Sequence, residues 1–424
     1  MKIMKRIFEF IAPTLNLTSG TVKEIPIYFT EDLEVFKKIN CLTEKCINIS
    51  KQEWDFRETS WDFEKLSLID GENLESAYDS YCNYWRNQFV QMHKNEEELN
   101  RIFINIYELQ DEMDEKVEFE DITLLKKEAT IKKIVTNSIQ IEEGFEEMEK
   151  TSEGYLFNRG VELEFNKEEL VKQFLSYTIG CIMGRYSIDK PGLIIANSDD
   201  NLIIEGNKVI IKGTDGEIRH EIEESRFFAD VYGIIPVTEE EVFENDIVKK
   251  VIEFVKILYG EKNLKKNLEF IAEALGKKKD ETAEEVLRKY FIKDFYDDHL
   301  QRYKKRPIYW MLNSGKKNSF SCLVYLHRYE ENTIARMRTD YLTPYQEIIE
   351  NQRSYYEKIV IDGKTIPKDK KIAEKKLKEL ENNLKELREY ANEVKHIAEQ
   401  KIVLDLDDGV KVNYEKFGKI LRKI

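Results

Sequence analysis

The sequence has few glycines, and their spacing excludes two common kinds of nucleotide site. None of the 18 glycines among the 424 residues follows another by two positions, and none by five. Dinucleotide-binding turns need glycines two apart, because the backbone must approach a phosphate closely. A Walker A loop needs glycines five apart, because consecutive backbone N–H groups cradle the phosphates. We therefore expect neither site in this chain.

Cysteine and histidine are scarce as well, with five residues of each. The cysteines form no C-x-x-C pair and are odd in number, which argues against a disulfide framework and against a zinc ribbon. No two histidines have the H-x-x-x-H spacing of metal ligands, so we predict no metal site. The residues concerned are Cys41, Cys46, Cys82, Cys181 and Cys322, and His93, His220, His299, His327 and His396.

Long apolar runs are missing too. No stretch reaches the length of a bilayer span, and charged residues make up 35% of the chain. The first residues combine basic side chains with a broken apolar stretch, which is unlike a secretory signal. From these features we expect a cytoplasmic protein without a membrane contact. At about 150 residues per domain, the length predicts two to four domains.

Periodic apolar residues predict a mainly helical α+β fold, with long helices, small antiparallel strand elements and a C-terminal helical hairpin. Before about Phe63 the pattern is irregular, and we expect only small strands or helical turns there. Sequence patterns from residue 193 to 218 predict short antiparallel strands. We predict four regions: 1–71 as a linker region, 72–165 as a long-helix region with a variable insertion, 166–340 as a mixed recognition region, and 341–424 as the hairpin and tail.

A heptad-like apolar stripe near the C-terminus indicates how the last long helix packs. Its residues step alternately by four and three positions, which is the spacing of one helix face. A second amphipathic helix over 345–359 makes an intramolecular hairpin the economical interpretation, and dimerisation through the stripe is the rival. The stripe consists of Ala373, Leu377, Leu380, Leu384, Leu387, Ala391, Val394 and Ala398.

Positive charge is concentrated in one window of an acidic chain. The formal charge is −15, yet residues 302–338 hold nine Lys or Arg against two acids, a net charge of +7. The same window contains many aromatic residues, and cations with aromatic faces are typical of nucleic-acid binding. An alternative stays open: Tyr309, Trp310, Phe320 and Tyr325 lie where a strand pair around the loop NSGKKNS needs core residues.

Several sequence phrases occur along the chain in a fixed order, among them IAPTLNLTSGTVKEIPI, WDFRETSWDF, FLSYTIGCIMGRYSIDKPGLIIAN, YKKRPIYWMLNSGKK and LDLDDGVKVNYEKF. In this order they resemble the C-terminal part of the PglX-type adenine-specific DNA methyltransferases of bacteriophage-exclusion (BREX) defence systems. The similarity runs through almost the whole chain, and residues 125–165 are the main stretch with little match.

The chain also departs from that family. Family members carry cofactor-binding and Pro-Pro catalytic motifs upstream of the first matching phrase, and the seven prolines here are never adjacent. No catalytic or cofactor-binding residue is therefore carried over, and whether this chain is itself an enzyme stays open. The resemblance implies S-adenosylmethionine as the cofactor of the complete enzyme and none in this chain.

We expect this chain to form the DNA-recognition and scaffold portion of such a methyltransferase. Double-stranded DNA, a separate methyltransferase catalytic half and other BREX defence proteins are the expected partners. One alternative is a protein-interaction scaffold without direct DNA binding, and another is an active enzyme with a divergent cofactor site. The predicted DNA-binding residues are Lys304, Lys305, Arg306, Lys316, Lys317, Arg328, Arg336 and Arg338.

Overall fold

The computed structural model describes residues 2–11, 19–23, 25, 28, 30–133, 149–150, 154–157, 161–363 and 365–424. The chain divides into two compact units. Residues 1–63 and 76–170 form the first, and residues 64–75 and 171–424 form the second. Helices predominate over short antiparallel strands, which confirms the predicted α+β class. The four predicted regions stay a prediction.

The helices and strands alternate along the chain in a few blocks. No helix in the described part of the chain is both long and apolar enough to cross a membrane. The helices are α1 (Lys2–Ile11), α2 (Ser19–Lys23), α3 (Leu33–Asp55), α4 (Leu74–Ile106), α5 (Lys167–Met183), α6 (Ile247–Tyr259), α7 (Glu261–Ala274), α8 (Ala283–Lys293), α9 (Phe295–Arg302), α10 (Thr333–Met337), α11 (Thr343–Ile361), α12 (Pro367–Glu399) and α13 (Gly409–Glu415). The strands are β1 (Ala129–Lys133), β2 (Glu149–Lys150), β3 (Gly154–Phe157), β4 (Val161–Phe165), β5 (Asn201–Glu205), β6 (Lys208–Lys212), β7 (Ile218–Ile222), β8 (Ile234–Pro236), β9 (Tyr309–Asn313) and β10 (Ser321–Tyr325).

Helix α3 of the first unit corrects the expectation of irregular structure before Phe63. The Asp32 carboxylate caps this helix by accepting the backbone N–H groups of Glu34 and Val35, at 2.9 and 3.3 Å. Such a cap satisfies donors that have no partner inside the helix. The signal that the sequence analysis overlooked is a stripe with steps of four and three, made of Val35, Ile39, Leu42, Cys46 and Ile49.

The second unit contains the three-stranded antiparallel sheet that positions the candidate site. Its order is β8–β10–β9. Every residue of these strands is buried, so the sheet is covered on both faces. Leu421 adds an isolated antiparallel bridge to Leu312, so the last residues of the chain run along the free edge of β9. The predicted strand pair around NSGKKNS is present as β9 and β10.

The predicted C-terminal hairpin is formed by α11 and α12, which pack along one another. The stripe residues Leu380, Leu384, Leu387 and Val394 are buried in the core of the second unit. That core also contains aromatic residues of the β9–β10 pair and of α11. The stripe is therefore covered within the chain, which favours the hairpin over dimerisation through this face.

Candidate nucleic-acid interface

The three-stranded sheet divides the predicted DNA-binding residues between its two ends. Residues 304–306 precede Tyr309, the first residue of β9, whereas residues 316–317 lie in the loop that follows Asn313, its last residue. Because a strand rises about 3.3 Å per residue, β9 alone separates the two groups by about 15 Å. We call the end beside Tyr309 the basic end and the other the loop end.

Strand pairing brings further cations to the basic end. Tyr325 of β10 lies opposite Tyr309, and Val324 lies opposite Ile234 of β8. The segments that follow β10 and precede β8 therefore emerge beside residues 304–306, and the backbone N–H of Leu326 donates to the Ile308 carbonyl at 3.0 Å. Six cations therefore lie at the basic end, in residues 304–306, in the segments beside them or in contact with those segments. They are Arg185, Lys304, Lys305, Arg306, Arg328 and Arg336.

The two lysines among these cations have a strained backbone. Lys304 and Lys305 have φ of 50° and 60°, in the left-handed region that favours glycine. The turn ends α9 with hydrogen bonds from Lys304 N–H to the Gln301 carbonyl and from Lys305 N–H to the Leu300 carbonyl, at 3.2 and 2.7 Å. Lysine at positions where glycine is more stable indicates a use for the charged side chains, since strained residues cluster at functional sites.

A cleft of about 990 Å³ opens beside these lysines. One wall is residues 304–306, and the other comes from α13 and the final residues. Lys411 and Lys423 add two cations, and Asp408 and Glu415 are the acids among the lining residues. Five cations against two acids make the cleft attractive to a polyanion.

The loop end presents Lys316 and Lys317 from a loop fixed by Glu386 of α12. The Glu386 carboxylate accepts the Ser314 hydroxyl at 2.8 Å, the Lys317 N–H at 3.1 Å and the Ser319 N–H at 3.2 Å. Both lysine side chains are exposed, and within the described ranges neither has an ion-pair partner. The loop therefore holds two free cations in a defined backbone conformation.

Replacing Glu386 with alanine is expected to lower the free energy of unfolding by about 1–3 kcal/mol, because three donors of the loop, partly buried or exposed, lose their charged acceptor. Glu389→Ala on the same helix removes an exposed carboxylate and is the matched control, with little expected change. Urea denaturation of both variants measures the difference. Equal stability of the two variants would contradict the assigned role of Glu386.

The three remaining arginines of the prediction are less available. Arg328 donates to the carbonyls of Met183 at 3.1 Å, Asp230 at 2.6 Å and Val231, and burial lowers its pKa. Arg336 places its guanidinium 3.7 Å from the ring centre of Tyr232. Arg338 is half-buried in a π-helical turn. Arg328 thus links the backbone at Met183 to that at Asp230 and Val231, and Arg336 stays partly exposed.

The aromatic residues of the window belong to the core. Tyr309, Trp310, Phe320 and Tyr325 are 0–3% exposed, so the core interpretation of these four residues is correct and they offer no face to a base. The exposed aromatic residue at the basic end is instead Tyr232, at 43%. Sequence reasoning missed Tyr232 and also Lys411 and Lys423, because none of them lies in the basic window.

Two histidines lie beside the basic end, of which His299 is buried and His327 is half-buried. The Nε2 atom of His299 accepts the N–H groups of Ile308 and Tyr309, at 3.1 and 3.2 Å. Burial, aided by the charges of Arg302 and Arg185, lowers its pKa to about 3. Burial and Arg185 lower the pKa of His327 to about 4. Both imidazoles are therefore neutral at pH 7.

These histidines are expected to make the protein less stable in mild acid. Between about pH 4 and 6.5 these histidines bind protons in the unfolded chain but stay neutral in the folded protein. The free energy of unfolding therefore falls as the pH falls. Each histidine contributes up to about 1.4 kcal/mol per pH unit. Thermal unfolding at pH 7.5 and pH 5 measures the slope. His299→Gln keeps an acceptor for the two N–H groups and should flatten it, and an unchanged slope would contradict this assignment.

The described residues show neither a metal-ligand cluster nor a Rossmann-type nucleotide turn. They contain no cluster of three or more His, Cys, Asp or Glu side chains that holds a metal ion. Their strand pairs are all antiparallel, and the strand that leads directly into a helix, β4 before α5, does so through Asn166 without a glycine turn. A Rossmann-type site needs a parallel strand and a glycine turn at that point.

The chain is similar to adenine-specific methyltransferases of two bacteria. It is 37% identical over 426 residues to the adenine-specific methyltransferase BrxX of Escherichia coli O9:H4 (strain HS), which covers 98% of this chain and 32% of that protein. It is 33% identical over 416 residues to the adenine-specific methyltransferase PglX of Lacticaseibacillus casei (strain Zhang), which covers 96% of this chain and 30% of that protein. The chain therefore spans about a third of the length of these relatives. No protein-family model matches it.

Proposed function

Because this chain is a homologue of the BrxX and PglX adenine-specific methyltransferases along almost its whole length, we propose that it is the DNA-recognition and scaffold portion of a PglX-type DNA methyltransferase. Its role is to bind duplex DNA through phosphate contacts and to hold the DNA for a methyl transfer to adenine. Other proteins of the same defence system are its proposed further partners.

The observation that carries this proposal is the basic end of the sheet. Lys304, Lys305 and Arg306 are exposed and have no ion-pair partner within the described ranges. They border a cleft with two further lysines, in a chain whose net charge is −15. Such a local excess of positive charge in an acidic protein attracts a polyanion such as the phosphate backbone of DNA.

We place the methyl donor, S-adenosylmethionine, outside the described residues. The antiparallel sheets and the glycine spacing do not suit that cofactor. A catalytic half elsewhere in the same protein, or on a separate polypeptide, supplies the chemistry in this proposal. This chain supplies position and orientation.

Binding of labelled duplex DNA at 50 and 200 mM salt tests the proposal. We expect affinity to fall steeply with salt, because bound lysines release counterions from the DNA. Lys316→Glu combined with Lys317→Glu should weaken binding further if the loop end shares the same duplex. Binding that is insensitive to salt, or absent at 50 mM, would overturn the proposal.

Glycine at positions 304 and 305 should separate folding from binding. Lys304→Gly with Lys305→Gly relieves two left-handed residues, so the thermal midpoint should stay the same or rise. The same change removes two cations, so DNA affinity should fall and the salt slope should become shallower by about 2. Lys368→Gly with Lys371→Gly on α12 removes the same charge as a control for affinity. A double variant at 304 and 305 that binds DNA normally would contradict the assigned role.

A protein-interaction scaffold is the second candidate, and exposed apolar residues of the first unit favour it. Leu33 and Trp54 of α3 are 70% and 53% exposed, and Trp61 is 98% exposed. Large exposed apolar side chains are common at protein interfaces. Pull-down of a defence protein without retention of DNA would support this candidate over the first.

A further inference from the structure

We propose that Val231 and Tyr232 form a rigid tip that contacts the bases of the bound DNA, an inference that rests on the proposed function. Val231 is 59% exposed and Tyr232 is 43% exposed. Both lie in the four-residue segment 230–233, which emerges at the basic end just before β8. Two neighbouring apolar side chains that point into solvent among cations suit a partner that is both anionic and flat.

Half-buried polar side chains fix the backbone of this segment. Arg328 donates to the carbonyls of Asp230, at 2.6 Å, and of Val231. The Asp230 carboxylate in turn accepts the N–H groups of Tyr232 and Ile234, at 2.9 and 3.0 Å. The tip therefore has a fixed backbone before any partner arrives, and binding need not order it.

Two further contacts complete the support. Asn245 donates its side-chain amide to the Asp230 carboxylate at 3.1 Å and to the Tyr341 hydroxyl at 2.7 Å. Gly233 has φ of 65° and lies against the Arg328 side chain, where an added Cβ would come within 3.3 Å. A charged arginine, a carboxylate and an amide thus fix a segment whose outer side chains are apolar.

Arg336 fixes the tyrosine ring itself. Its guanidinium lies 3.7 Å from the ring centre, a cation–π contact that sets the ring orientation. Tyr232 is nevertheless 43% exposed. A guanidinium close to an exposed aromatic ring gives a base both a ring to stack on and a nearby positive charge.

The tip lies within reach of a duplex held by the lysines. β8 and β9 flank β10, so the first residues of β8 and β9 are about 10 Å apart at neighbouring-strand spacings of about 4.8 Å, and segment 230–233 and residues 304–306 precede them. Phosphates bound at 304–306 therefore bring bases toward Tyr232. DNA offers both phosphates and planar bases, whereas an acidic protein offers negative charge without a row of planar rings. We therefore assign the tip to DNA.

Titrations of two duplexes test the inference, one fully paired and one with a single unpaired adenine. Wild type should prefer the unpaired base, since extruding it from the stack costs less. Tyr232→Ala should weaken binding to the second duplex by about 5- to 100-fold, abolish the preference and leave the salt slope unchanged, because no charge is lost. Tyr232→Phe should behave as wild type. Tyr355→Ala removes a tyrosine of α11 that is 61% exposed and is the matched control.

The outcomes separate the tip from the proposed function. If wild type and Tyr232→Ala bind both duplexes equally well, the tip inference is wrong and DNA binding stands. A tip that contacts a protein gives this same result. If wild type binds neither duplex at 50 mM salt, the proposed function itself fails. Thermal unfolding of each variant confirms that Tyr232→Ala is folded, so a loss of affinity reports on the contact.

Discussion

Replacing Arg288 with methionine is expected to lower the free energy of unfolding by about 3–5 kcal/mol. Its guanidinium binds both carboxylate oxygens of Asp246, at 2.8 and 2.9 Å, and donates to the Thr238 carbonyl at 2.9 Å. Asp246 is fully buried and also caps α6 by accepting the N–H groups of Val248 and Lys249. Without Arg288, a buried carboxylate loses its positive partner.

The size of this effect depends on burial, and a matched surface pair tests that dependence. Arg388 also contacts a carboxylate, that of Glu350 at 3.2 Å, but its side chain is 63% exposed. Arg388→Met should change stability by less than about 1 kcal/mol. Asp246→Asn keeps the helix cap and removes the charge, so the double variant with Arg288→Met should be more stable than Arg288→Met alone. Urea denaturation of wild type, Arg288→Met, Arg388→Met and the double variant provides the comparison. Equal losses of stability for Arg288→Met and Arg388→Met would contradict the assignment.

The helical parts of this fold were predictable from sequence because their signals are local. Apolar residues three and four positions apart over 167–183 predict a helix, and helix α5 is found at Lys167–Met183. The hairpin followed from a stripe whose members Leu384 and Leu387 are 3% and 0% exposed. Both predictions use residues three or four apart, and tertiary packing only had to supply a partner surface. Helix α3 was missed although it has the same type of stripe, because Asn40, Thr43 and Asn48, which disfavour helix, lie between the stripe residues.

The candidate site was only partly predictable because long-range pairing assembles it. Strand β8 pairs with β10, which lies almost 90 residues later in the sequence. The local pattern around Ile234 does not predict that pairing. The basic window was correctly seen as positive, but β9 runs through its middle and separates Lys305 from Lys317. Closeness in the sequence therefore suggested a single basic surface, whereas the sheet places these lysines at its two opposite ends.

The charges also differ in ways that residue type does not reveal. Arg328 and Lys305 both contribute +1 to the window, yet the first is bonded to three carbonyls and the second is exposed. Arg328 is held because the loop at Asp230 presents backbone carbonyls that accept its guanidinium N–H groups. This loop is distant from Arg328 in the sequence. Tyr232 is exposed for the same reason, since Arg328 fixes the backbone that carries it.

Reversing the three cations of the basic end should change both the affinity for DNA and its dependence on salt. Lys304→Glu, Lys305→Glu and Arg306→Glu together remove three phosphate contacts, each of which contributes about −0.9 to the slope of log affinity against log salt. The slope should therefore become shallower by about 2.7. The loss of affinity relative to wild type should be about 40 times larger at 50 mM than at 200 mM salt.

The control must carry the same total charge, because an acidic protein repels DNA as a whole. Lys368→Glu, Lys371→Glu and Lys375→Glu change three exposed lysines of α12 and lower the net charge by the same amount. Net charge acts at long range and is screened within about 10 Å at 0.1 M salt, so this triple variant should keep most of the wild-type affinity and nearly its full slope. Equal losses in the two triple variants would mean that net charge, rather than a defined surface at the basic end, governs DNA binding. A large loss confined to the variant at 304–306 would identify that surface as the one that grips the phosphates.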